Sequence, residues 1–162
     1  MKKFFVAAVL ALFAGIGMTM AQMPDVKIEN HQGNVISTRS LLKAGKPTII
    51  SFWSITCKPC LMELNAINDQ MIDWLDEADF QVVAVSIDDT RSSAKAKALA
   101  SGSGWNDFIV LYDKNQDFKR AMNVNLTPQV FIMDADGKIV YSHTGYTPGS
   151  EAELFKIVKS LQ

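Results

Sequence analysis

Two cysteines stand in the 162 residues, Cys57 and Cys60, spaced Cys-x-x-Cys. An apolar, β-branched run precedes them (Thr48, Ile49, Ile50, Phe52), and a helix-periodic segment follows (Leu61, Leu64, Ile67, Met71, Trp74, Leu75). The sulfurs are therefore expected where a buried strand ends and a helix begins. A helix N-terminus carries unpaired N–H groups and the positive end of the dipole, which favour an anion. A thiol placed there loses its proton more easily, and the thiolate is the reactive form. Pro59 suits the first helical turn, where its missing N–H costs nothing. These features point to a reversible dithiol/disulfide site, with Cys57 as the exposed nucleophile and Cys60, one turn inside, as the resolving thiol.

Other chemistry is open to the same pair. Two cysteines could be half of a zinc site, but without a second Cys pair the remaining ligands would be His31 and His143, far apart in sequence. A permanently closed disulfide would span a very small loop and constrain the unfolded chain little. Haem attachment needs His directly after the second Cys, and Leu61 stands there.

The elements that must carry the site follow from pattern. Residues 24–40 read as a short hairpin, with Val26 and Ile28 alternating, a turn at His31–Asn34, and Val35-Ile36. Ser37 or Thr38 could cap a short helix through Leu42, ended by Gly45-Lys46-Pro47. Strands are predicted at 48–53, 81–87, 108–112, 129–133 and 138–143. Helices are predicted at 59–77, 94–100 (capped by Thr90) and 116–122. A C-terminal helix follows the capping box Ser150-x-x-Glu153. Asp134–Gly137 is a strong turn signal, so the last two strands should form an antiparallel hairpin. Strands alternating with helices indicate an α/β class with a parallel core and an antiparallel edge.

Lys2 and Lys3, an apolar stretch from Phe4 to Met20, and Thr19-Met20-Ala21 read as a signal peptide over residues 1–21. The alternative is an uncleaved N-terminal anchor, since the run is near the lower limit for a spanning helix. Residues 22–162 then form one domain. Losing Lys2 and Lys3 moves the formal charge from −1 to −3. Nothing there suggests nucleic acid. An exported chain works where dithiols tend to be oxidised. The expected location is the periplasm or cell envelope, either soluble or N-terminally anchored.

The pattern resembles the thioredoxin-like superfamily and, within it, exported thiol-disulfide oxidoreductases of the TlpA/ResA type. Phe52-Trp53, Cys57-Lys58-Pro59-Cys60 and Thr127-Pro128 carry the resemblance, which spans residues 24–162. Supporting it are an extra helix between the second and third core strands and the Asp136-Gly137 turn. The resemblance implies a thioredoxin-like fold: a central mixed sheet flanked by helices, with an N-terminal hairpin. It implies that Pro128 follows a cis bond and packs against the disulfide, while the Thr127 backbone pairs with a bound substrate strand. Trp53 is either a substrate contact or a large residue packing the strand end. Glu63, three residues after Cys60 and on its helix face, could accept the Cys60 proton. It could equally be a solvated glutamate favoured by the helix dipole.

Two departures stand out. Ser51 occupies the place of the buried Asp of cytosolic thioredoxins, so their proton relay cannot be transferred. Thr56 replaces the usual aromatic before the first cysteine. The implied activity is reduction of protein disulfides outside the cytoplasm, with no cofactor beyond the Cys57–Cys60 disulfide. A membrane thiol-reductant transporter would donate electrons, apocytochrome c is one possible substrate, and the protein would be a monomer. The alternatives are a disulfide oxidase or isomerase, a peroxidase lacking the required Thr at Ser54, and a soft-metal (copper) chaperone on the same fold.

Overall fold

The computed structural model describes residues 21–162, so all but the last residue of the expected signal segment lies outside the described residues. Seven strands form one sheet in the order β2-β1-β5-β4-β3-β6-β7. The N-terminal hairpin is β1 (Lys27–Asn30) and β2 (Val35–Ser37). The core strands are β3 (Thr48–Trp53), β4 (Gln81–Ser86) and β5 (Phe108–Tyr112), mutually parallel, with β3 at the junction to the antiparallel hairpin β6 (Gln129–Met133) and β7 (Ile139–Thr144). β3 is buried along its whole length. That is why it reads as a continuous apolar run, covered on both faces.

Helices cover the two faces unequally. α1 (Lys58–Glu77), α2 (Ser93–Gly102) and α4 (Glu151–Lys159) lie on one side, packing Leu64, Ile67, Ala96, Leu154 and Val158 against Ile49, Val82 and Val130. Trp74 of α1 stacks on Phe155 of α4 at 4.7 Å between ring centroids. A 3-10 helix (Thr38–Ala44) and α3 (Asp117–Ala121) cover the other side, where Leu41 and Phe118 meet Ile50, Phe52 and Val83. The mixed sheet between helical layers, the N-terminal hairpin and α2 between β4 and β5 are as the sequence pattern predicts.

Two helix starts differ from expectation. Thr90 does not cap α2; the Asp89 carboxylate instead accepts from the Arg91 and Ser92 amides, at 3.0 Å each. The capping box before α4 does not form. Ser150 takes helical backbone angles and makes no cap bond. The Glu151 carboxylate instead ties down the loop before the helix, accepting from the Gly149 amide and the Tyr146 hydroxyl at 2.9 Å. Both misreadings share a cause: several short polar residues compete for one helix end, and the loop's path chooses among them.

Candidate functional site

Cys57 is the N-cap residue of α1, and Cys60 lies in its first turn. Their sulfurs are joined in a disulfide. Cys57 is half-buried and Cys60 fully buried. This is the asymmetry expected of an attacking and a resolving sulfur. The Cys60 amide, one of the orphan donors of the helix end, points at Cys57 Sγ at 3.3 Å. A thiolate at Cys57 would receive that same N–H, which stabilises the anion.

The loop before Cys57 is held from β4. Trp53 and Ser86 are register partners at the ends of parallel strands. Just beyond, the Asp88 carboxylate accepts from the Ile55 amide at 3.0 Å and from the Ser86 hydroxyl at 2.9 Å. Asp88 was not singled out from the sequence. Its signal is positional: an acid just past a strand whose parallel neighbour ends at the redox loop must lie beside that loop.

A row of three register partners crosses the sheet from β3 to β7. Ser51 pairs with Val130 across β3/β6, and Val130 with His143 across β6/β7. Directly opposed residues project to the same face, so all three face α1. Glu63 comes down from α1 onto this row and is fully buried. The Ser51 hydroxyl donates to its Oε2 at 3.3 Å, and His143 Nε2 lies 3.0 Å from its Oε1. Both carboxylate oxygens are therefore partnered, as burial demands. Of the two places weighed for Glu63, the structure gives the buried one. Ser51, noted for what it replaces, turns out to be a partner of Glu63. His143, weighed only as a zinc ligand, is the other partner. Only the strand register could have found it, because it is 80 residues from Glu63 in sequence.

The Thr127–Pro128 bond is cis. Pro128 is buried, Thr127 half-buried, and Leu126 beside them 70% exposed. Trp53 is fully buried and packs edge-on against Trp105 at 5.2 Å, so its surface is spent on the core in this oxidised form. Thr56, Lys58, Pro59 and Met62 form an exposed rim around Cys57 in sequence. His31 is engaged elsewhere, with Nδ1 2.8 Å from the Tyr112 hydroxyl. Burial, then the charge of Glu29, pushes the Tyr112 phenol up to about 12. Among the described residues no group of three or more His, Cys, Asp or Glu side chains is gathered for a metal ion.

The redoxin family model matches residues 18–158. The chain belongs to the redoxin family. Among curated relatives, it is 29% identical to the thioredoxin-like protein YneN of Bacillus subtilis, covering 82% of this chain and 75% of that one. It is 26% identical to the thiol-disulfide oxidoreductase ResA of Bacillus thuringiensis, covering 85% and 84%. Among solved structures, a thioredoxin-like protein from Porphyromonas gingivalis is 55% identical over 88% of this chain and 93% of that one, with a TM-score of 0.76. Family, fold and cysteine pair make this redoxin a TlpA/ResA-type thiol-disulfide oxidoreductase.

Proposed function

We propose that the chain reduces protein disulfides outside the cytoplasm, drawing electrons from a membrane dithiol donor. The observation that carries this reading is the burial gradient at the head of α1: an accessible Cys57, a buried Cys60 and a buried carboxylate, Glu63, one turn further on the same face. The Cys57 thiolate attacks one sulfur of a substrate disulfide. A mixed disulfide forms, and the first substrate sulfur leaves as a thiolate that takes a proton from solvent. Cys60 gives its proton to Glu63 and attacks Cys57 Sγ. The mixed disulfide breaks, the second substrate sulfur leaves as a thiolate that takes a proton from solvent, and Cys57–Cys60 is left oxidised. Two electrons have passed from protein to substrate. A donor dithiol restores the reduced pair by the reverse sequence. The substrate's extended backbone would lie along Thr127, beside Pro128.

Export is supported by the positively charged, apolar first 21 residues. Among the described residues no helix is long and apolar enough to cross a membrane. Apocytochrome c is one substrate compatible with this chemistry, and no residue of the site selects it.

The test is the reduction potential of residues 22–162, titrated by Trp fluorescence in thiol/disulfide buffers. The edge-on pair Trp53–Trp105 borders the strand end that leads into the cysteines and serves as the reporter. A two-electron midpoint near about −270 mV is expected for a reductant. A midpoint between roughly −180 and −120 mV would reverse the direction of electron flow, and the absence of any reversible transition would remove the redox reading altogether.

A further inference from the structure

Cys57 keeps the Cys60 amide at its sulfur only while the turn before it delivers it to the head of α1. That turn leaves the sheet at Trp53, and the Cys57 amide closes it by donating to the Ser54 carbonyl at 3.1 Å. Two bonds fasten its start to the end of β4. The Ile87 amide donates to the Trp53 carbonyl at 2.9 Å. The Ile55 amide donates to Asp88 Oδ2 at 3.0 Å. Asp88 is only 8% exposed, and Ser86, whose hydroxyl donates to the same Oδ2, is fully buried. The end of β4 is itself braced. The Asp113 amide donates to the Ser86 carbonyl at 2.8 Å, and the Gln116 side-chain amide to the Ile87 carbonyl at 3.1 Å.

Resting on the thiol-exchange reading above, we propose that Asp88 is a positioning residue for Cys57: by holding the Ile55 amide, its carboxylate keeps Cys57 at the N-cap of α1, where the Cys60 amide reaches Sγ. Ile55 lies two residues past the end of β3, where the strand ladder no longer fixes the backbone. Without the carboxylate the turn is free to shift, and the 3.3 Å approach of the Cys60 amide to Cys57 Sγ lengthens. The thiolate then loses a hydrogen-bond donor, and the thiol keeps its proton to higher pH. The charge of Asp88 acts in the opposite sense, because an anion behind the loop disfavours a second one at Cys57. Position and charge therefore demand shifts of opposite sign when Asp88 is removed.

Other charges act on Cys57 from fixed places. Lys58 follows it in sequence and favours the thiolate. Glu63, buried on the same helix, disfavours it. Both stay unchanged when Asp88 is replaced, so they do not blur the comparison. Asparagine keeps an oxygen where both bonds end and removes the charge; alanine removes both.

The test follows alkylation of the reduced protein by iodoacetamide between about pH 4 and 10, read by mass spectrometry. Cys57 is half-buried and Cys60 fully buried, so the rate reports the Cys57 thiolate. Asp88→Ala is expected to move the Cys57 titration up by about one unit. Asp88→Asn should leave it within about 0.3 unit of wild type. Glu29→Gln, which loosens the N-terminal hairpin and leaves the redox loop alone, controls for lost stability and should not move it. An Asp88→Ala titration that stays in place or falls, or an Asp88→Asn shift as large as that of the alanine variant, would overturn the proposal. If Asp88→Ala does not fold, Asp88→Ser takes its place, its hydroxyl being too short to reach the Ile55 amide, and the same upward shift is expected. Alkylation needs no disulfide substrate. Reduced wild-type protein that never reacts with glutathione disulfide would instead defeat the thiol-exchange reading, with the Asp88 result still readable.

Discussion

At the scale of single residues, the site depends on one carboxylate held in the core by a serine and a histidine. Glu63 has two hydrogen-bond partners and no exposure. Taking a carboxylate out of water is costly, and the two bonds offset that cost only in part. Replacing Glu63 by Gln preserves volume and one acceptor oxygen but removes the proton acceptor. Decay of the mixed disulfide should slow roughly a hundredfold, while the alkylation rate of Cys57 stays near wild type. Thermal stability should hold or rise, as it does when a buried charge is removed with its shape kept. Equal decay rates for Glu63→Gln and wild type would take Glu63 out of the mechanism. The cysteines were legible in sequence because spacing within a helix turn is local information. Glu63 was half legible: its helix face could be read, its burial could not. His143 was not legible, because its place depends on two successive strand registers.

At the scale of elements, the redox loop and the N-terminal hairpin are each fastened by one acid. Asp88, past the end of β4, holds the Ile55 amide. Asp88→Ala leaves that donor and the Ser86 hydroxyl unmatched, which should cost about 1–3 kcal/mol and loosen the turn before Cys57. Denaturant unfolding measures the first effect and Cys57 alkylation the second; Asp88→Asn, which keeps an acceptor, should lose less of both. Glu29 on β1 bridges Lys97 of α2 at 2.6 Å and Lys114 at 2.7 Å. Those lysines hold its carboxyl below the usual 4.5. A depressed carboxylate pKa contributes stability that is present above 4.5 and is lost as pH falls through the lowered value. Glu29→Gln should therefore cost about 1 kcal/mol at pH 7, and the two unfolding curves should converge in acid. A constant difference down to pH 2 would show that packing, and not charge, holds the hairpin. Strand and helix positions were legible because burial imposes a period. The caps at α2 and α4 were not, since each choice among neighbouring Ser, Thr, Asp and Glu is made by the three-dimensional path of the loop.

At the scale of the whole molecule, the direction of electron flow is a question about folding. Potential and stability are linked: a fold that prefers its disulfide is a reductant when reduced, and a fold that prefers its dithiol is an oxidant. Two features of this chain pull in opposite directions. The end of α1 offers the Cys60 amide to Cys57 Sγ, which favours a thiolate and so the dithiol form. The buried Glu63 on the same helix face disfavours a second negative charge beside Cys60, which favours the closed pair. The ring closed by Cys57–Cys60 is too short to constrain the unfolded chain much, so any stability difference between the two forms reports on the folded site. If the protein is a reductant, the oxidised form should unfold at higher denaturant than the reduced form. The span from about −270 to −120 mV corresponds to roughly 7 kcal/mol, far more than the scatter of such measurements. In Glu63→Gln the repulsion is gone, so the gap between oxidised and reduced forms should narrow. A reduced form more stable than the oxidised one in the wild-type protein would mean that the helix end wins over Glu63, and that electrons run from substrate to this chain.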